Sequence, residues 1–157
     1  LSIMVGGDKE HYHLIKTILK PYTKFIKYMG SSGSGQLTKM VNQICIAGLI
    51  QALAEGINFS KKVGLKTQDV FEVVSKGAAQ SWQMDNRWKT MTKNIYDYGF
   101  AVDLMRKDLN ILLNEAKKSN INLDITKIIN EYYKDIQGFG GGRLDTSSLL
   151  KRLEELT

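Results

Sequence analysis

A lysine and two amides, Lys39, Asn42 and Gln43, stand together at the head of a long apolar stretch. At about 100° per residue of α-helix, Asn42 falls roughly 60° to one side of Lys39 and Gln43 roughly 40° to the other. The three form one polar patch. An amine placed there can take a proton from an alcohol or return one to an alkoxide. The amides can donate to a carboxylate or hydroxyl of a small substrate. Met40, Val41, Ile44, Cys45, Ile46, Ala47, Leu49 and Ile50 cover nearly every direction around the same helix. Such a helix is expected to be buried on all sides, and an ammonium enclosed in that way gives up its proton more readily. The plainer alternative is a lysine that carries its head group out to solvent from the first turns of the helix. Periodicity alone leaves both open.

Just ahead lies a glycine cluster, Gly30-x-x-Gly33-x-Gly35. It follows a candidate strand and opens a helix, as a dinucleotide fingerprint does, but its spacing is reversed. No strand–helix–strand unit follows it, and no acidic residue ends a next strand, so it is not a Rossmann fingerprint. It contains no Gly-Lys-Ser/Thr and is not a P-loop. By itself it reads as a flexible joint between two packing units.

The elements around these residues follow from pattern. Ser2–Val5 reads as a strand ended by Gly6-Gly7. Asp8 can cap a helix running to about Lys20, with Pro21 stopping it. Lys24–Tyr28 alternates and reads as a second strand. Beyond Gly33 the pattern is helical throughout. A long helix spans about Gly35–Val63, with Gly64 just past its end. Others start after Thr67 and end at Gly77, start near Ser81 with Trp82 and Trp88, run from about Asp103 to Ser119, and run from Asp124 to Gln137. Ser81 followed by a core tryptophan reads as a helix cap. A glycine-rich loop, Gly138–Gly142, precedes a short last helix capped at Asp145-Thr146. A strand–helix–strand opening is too small to bury its own faces.

Bulk composition limits the function classes. The chain has 157 residues, 43% hydrophobic and 24% charged, enough for a domain with a real core. The net charge of +6 is spread thinly, and Lys61-Lys62 and Lys117-Lys118 sit at expected helix ends, where cations suit the dipole. No arginine and aromatic stripe points to nucleic acid. The longest apolar run, Ile44–Ile50, is too short to span a bilayer, so no membrane partner is expected. Cys45, the one cysteine, reads as a small core residue in a reducing, cytoplasmic compartment. His11 and His13 have no further ligands nearby in sequence, and no metal site is expected.

The stretch Gly30 to Gln43 resembles the catalytic segment of the β-hydroxyacid dehydrogenases, which include 3-hydroxyisobutyrate dehydrogenase, tartronate semialdehyde reductase and glyoxylate/succinic semialdehyde reductase. The family pattern is a glycine-rich joint followed by Lys-x-x-Asn-Asn on a long interdomain helix. Gln43 stands here in place of the second asparagine; it keeps the amide and reaches one methylene further. Phe100-x6-Lys107-Asp108-Leu109 resembles the family's Phe…Lys-Asp-Leu segment, and Gly140-Gly141-Gly142 through Asp145-Thr146-Ser147 its closing loop and last helix. Leu1–Gly7 looks like the last part of the family's N-terminal domain. The resemblance covers essentially the whole chain.

It implies a mainly α fold: the helical C-terminal domain of the 6-phosphogluconate-dehydrogenase-like type over residues 33–157, with residues 1–32 a strand–helix–strand remnant of an N-terminal Rossmann-like domain. It implies an NAD(P)-dependent oxidoreductase acting on a small 3-hydroxy acid or its semialdehyde. Lys39 is expected as the catalytic acid/base, with Asn42, Gln43, Phe100 and Asp108 binding substrate and Lys107 and Gly35 meeting NAD or NADP. The partners implied are the protein's own Rossmann domain, a small hydroxy acid or semialdehyde, and further copies in a homo-oligomer. The family's Gly-x-Gly-x-x-Gly loop and its serine- and glycine-rich substrate motif are absent, so these residues are expected to be inactive alone. Two rivals stay open: a non-catalytic helical dimerisation module derived from the family, and a basic helical adaptor for acidic partners.

Overall fold

A computed structural model describes residues 1–155, which fall into two compact units, Leu1–Gln43 and Ile44–Thr157. In the first, β1 (Ser2–Gly6) and β2 (Phe25–Gly30) form a two-stranded parallel sheet. Ser2 lies opposite Phe25 and Val5 opposite Tyr28, with a slip in register before Gly6 meets Gly30. Parallel strands need a crossover, and α1 (Lys9–Leu19) supplies it. Pro21 does not simply end that helix; it sits in a 3-10 turn, Lys20–Tyr22, that continues from it. Proline can occupy the first positions of such a turn because the N–H it lacks has no partner there. Tyr12 on α1 is buried, with its ring 5.4 Å from that of Tyr28. The Tyr28 hydroxyl donates to the Gly7 carbonyl at 2.9 Å. This packing fastens the helix to the strand pair.

The helix α2 (Ser34–Lys62) is 29 residues long and has Lys61 and Lys62 in its last turn, with Gly64 beyond it at φ +78°. Its boundaries match the reading from sequence; its environment does not. Leu37 is 50% and Val41 59% exposed, and Cys45 and Lys39 are exposed as well. The expectation of a helix enclosed on every side is corrected, and with it that of a core cysteine; of the two readings of Lys39, the one that carries its head group out to solvent holds. Among the described residues no layer covers that part of α2, so Leu37 and Val41 meet solvent. Gln43, in contrast, is 2% exposed. Among the described residues, α2 is the one helix long and apolar enough to cross a membrane, a test that the core helix of a globular domain also passes.

The second unit is helical. It contains the rest of α2, then α3 (Thr67–Val74), α4 (Trp82–Thr92), α5 (Val102–Lys118), α6 (Asp124–Gly138) and α7 (Leu149–Glu155). Its core follows helical spacing. Met105, Leu109 and Leu112 come from α5, Ile129, Tyr133 and Ile136 from α6, and Leu149 and Leu150 from α7, all essentially inaccessible. Ser81 caps α4 by accepting from the Met84 amide at 3.1 Å. Trp88 is the buried tryptophan, its Nε1 donating to the Thr67 carbonyl, whereas Trp82, one residue into the helix, is 60% exposed.

A buried carboxylate organises the connections between these helices. Asp145 is fully inaccessible. Its oxygens accept from the Phe100 amide at 2.9 Å, from the Ser147 amide at 3.0 Å and from the Ser147 hydroxyl at 2.6 Å, and Arg87 Nε lies 3.1 Å away. Gly99, at φ +76°, has no room for a Cβ beside that carboxylate. Removing the acceptor would strand two backbone donors and a half-buried guanidinium. Asp145→Ala is therefore expected to cost about 3–5 kcal/mol of stability, read as a lower urea midpoint. An unchanged midpoint would show that the carboxylate is not a structural centre.

Two tyrosines tie stability to alkaline pH. Burial pushes the Tyr133 phenol far above the ordinary tyrosine range, and the Asp145 charge adds to it. Burial does the same for Tyr96, with smaller contributions from Glu154 and Tyr98. Their folded values lie above the unfolded one, so the stability they bring is complete below about pH 10 and is lost as pH rises beyond it. Each tyrosine should steepen the loss by up to about 1.4 kcal/mol per pH unit. A circular-dichroism titration should show unfolding accompanying phenolate absorption. Titration of all seven tyrosines near pH 10 with the fold intact would contradict this.

Candidate functional site

The first unit builds the polar patch from its glycines upward. Gly35 is buried at the N-terminus of α2, where an added Cβ would lie 2.5 Å from the Met4 carbonyl and 3.2 Å from the Gly6 amide. A Cβ on Gly6 would in turn meet the Ser31 carbonyl and the Ser34 and Gly35 amides at 2.7–2.9 Å. The glycines at β1 and at the helix start let two backbones approach closely. Gly33, at φ +93°, makes the turn between β2 and α2. This close approach fixes where α2 begins, and so where the side chains of its next turns point.

Lys39, Asn42 and Gln43 come together as their spacing predicts. Lys39 Nζ donates to Gln43 Oε1 at 3.0 Å, and Asn42 Nδ2 donates to the same oxygen at 2.9 Å. Lys39 and Gln43 are one helical turn apart and share a face. Lys39 and Asn42 are open to solvent and Gln43 is not. The arrangement presents an ammonium and an amide at the surface, joined beneath by a buried amide oxygen. That donor set fits a small ligand carrying hydroxyl and carboxylate oxygens.

The second unit carries the other candidates. Lys107 and Asp108 are neighbours on α5 and form an ion pair at 2.8 Å, with the lysine side chain 60% exposed and the aspartate 18%. Exposed pairs of this kind contribute little to stability. Phe100 is half-buried and held by the bond from its amide to Asp145, immediately before α5. Residues 39–43 and residues 100–108 lie in different compact units. Sequence reasoning did not single out Arg87, whose guanidinium lies beside Asp145 and 5.3 and 4.9 Å from the ring centres of Trp82 and Tyr98. Nothing in its spacing in the sequence signalled that role.

Comparison with known proteins gives this geometry its family. The family described as NAD-binding of NADP-dependent 3-hydroxyisobutyrate dehydrogenase matches residues 33–153. The chain belongs to that family. An uncharacterized oxidoreductase of Shewanella frigidimarina is 52% identical over 155 residues, covering 99% of this chain and 53% of the relative. The 2-hydroxy-3-oxopropionate reductase of Escherichia coli is 35% identical over 154 residues, covering 98% of this chain and 53% of its own length. A solved 3-hydroxyisobutyrate dehydrogenase of Mycobacterium tuberculosis shares the fold with a TM-score of 0.88 at 24% identity, over 97% of this chain and 54% of that one. The chain thus spans about half the length of the curated relatives it matches.

The close backbone approach is testable without any ligand. Gly35→Ala should force α2 away from β1 at an overpacking cost of about 1–3 kcal/mol. Hydrogen exchange should quicken at the first turns of α2 and along β1, while α5 and α6 keep their protection. Unaltered exchange in β1 would mean that the glycine is dispensable there.

Proposed function

We propose that the chain is the helical C-terminal part of an NAD(P)-dependent dehydrogenase that acts on a small 3-hydroxy acid or its semialdehyde. The observation that carries this reading is the solvent-facing ammonium of Lys39, hydrogen-bonded to the buried amide of Gln43 with Asn42 beside it. Family membership and the oxidoreductases among the relatives support it. The reading takes residues 1–32 as the tail of a nucleotide-binding domain and residues 33–157 as the helical domain, whereas the compact units divide after Gln43. The parallel β1–α1–β2 unit has the form that such a tail takes, and the family match begins at residue 33.

The nicotinamide, when bound, supplies the hydride exchange with the substrate carbon. Lys39 holds a proton at the substrate's reacting oxygen, giving it up when a carbonyl is reduced and taking it when an alcohol is oxidised. Asn42 stands beside Lys39 at the substrate oxygens, with the buried Gln43 beneath both. In this reading Phe100 and Asp108, which resemble the family's segments, meet the substrate as well, and Lys107 and Gly35 meet the cofactor. An exposed ammonium at Lys107 suits the negative charge of a dinucleotide. At Gly35 the space for a side chain is taken by the Met4 carbonyl, so only its backbone is offered. The exposed Leu37 and Val41 support further copies of the protein as partners that cover α2.

The test is Lys39→Ala in the full-length protein, assayed by NADH and NADPH oxidation on succinic, tartronate and methylmalonate semialdehydes. Loss of the acid/base group should lower kcat by about 10²–10⁴-fold with the circular-dichroism spectrum unchanged. A variant that keeps most of its kcat would overturn Lys39 as the acid/base group, and no oxidation by the unaltered full-length protein would overturn the dehydrogenase reading and favour a non-catalytic module.

A further inference from the structure

Gln43 does not have the surroundings of a ligand-binding group. It is 2% exposed, on the enclosed side of a helix turn whose neighbours Lys39 and Asn42 reach solvent. Its Oε1 already accepts two hydrogen bonds, from Lys39 Nζ at 3.0 Å and from Asn42 Nδ2 at 2.9 Å. An amide oxygen has two lone pairs. Both acceptor sites are therefore taken, and the amide nitrogen is enclosed with the rest of the side chain instead of facing solvent. Adjacent residues on a helix do not ordinarily face one another. Asn42 turns toward Gln43 even so, and the one oxygen ties the two exposed groups together.

We infer that Gln43 is a positioning residue that aims Lys39 and Asn42, and not a ligand of the substrate. The inference rests on the proposed function for the reaction at Lys39, and on the hydrogen bonds alone for the tether. A lysine has four flexible carbons and a large rotamer entropy. Left untethered at the surface, its ammonium samples many positions; bonded to a buried acceptor one turn away, it samples few. The length of the tether matters. Asparagine at this position would withdraw the oxygen by about one carbon–carbon bond, roughly 1.5 Å, and one oxygen could then no longer serve both donors in this geometry. A displacement of about 1 Å at a reacting group can cost on the order of 10²-fold in rate.

Three substitutions test this in the full-length protein. Gln43→Leu keeps the bulk and removes the acceptor, and should lower kcat about 10²-fold while KM stays within about threefold. Gln43→Glu keeps both acceptor sites and should recover most of that loss. Gln43→Asn should fall between them. If Gln43→Leu instead raises KM about tenfold or more with kcat preserved, Gln43 binds substrate directly and the inference is overturned.

A second readout needs no reaction. Carbon relaxation at the Lys39 ε-methylene should report an ordered side chain in the unaltered protein and in Gln43→Glu, and a mobile one in Gln43→Leu. Equal mobility in all three would overturn the tether whatever the activity. Ordering lost only in Gln43→Leu, in a protein that shows no dehydrogenase activity, would retire the proposed reaction and leave the tether standing.

Discussion

The helical unit depends on one buried charge. Asp145 is wholly inaccessible, yet it terminates several otherwise unrelated segments: the turn before α5 through the Phe100 amide, the 3-10 turn before α7 through Ser147, and α4 through Arg87. A carboxylate out of water is costly unless donors surround it. The donors here come from three separate stretches of chain, so the charge is satisfied only when all three are in place. That makes the connections between α4, α5 and α7 mutually dependent. Gly99 follows from the same constraint, because the chain passes too close to the carboxylate to carry a side chain. Burial keeps the Tyr133 phenol protonated, and the Asp145 charge adds to the effect.

The first unit depends on contact of another kind. β1 and the start of α2 approach so closely that only glycine fits at positions 6 and 35. A helix whose first turn is pinned in this way presents its following turns in a fixed direction. Lys39, Asn42 and Gln43 inherit that direction. The joint that sequence inspection takes for flexible is a tight backbone contact, and the polar patch owes its position to it.

Family membership and geometry bear on different parts of the functional reading. Membership supplies the class of chemistry and the likeness to enzymes about twice as long as this chain. Geometry supplies the division of labour within the patch. It separates an exposed ammonium and amide, able to meet a ligand, from a buried amide whose oxygen accepts from both.

The sequence by itself determined a great deal. Caps, glycines and the 3.6-residue period located every helix of the second unit to within a few residues, because these signals are local and each acts through its own stretch of backbone. The angular relation of Lys39, Asn42 and Gln43 was legible for the same reason. The sequence also misled: a helix apolar on all sides reads as enclosed on all sides, yet Leu37, Val41 and Cys45 are exposed. Periodicity gives the angle of a side chain about its own axis and says nothing about which angles another layer covers. Only the tertiary structure decided that Gln43 is buried while Lys39 is open, and that Trp88 is covered while Trp82 is not. It alone brought Arg87 and Phe100 to the Asp145 carboxylate, because these contacts join residues dozens of positions apart, and no local pattern records which distant segments will meet.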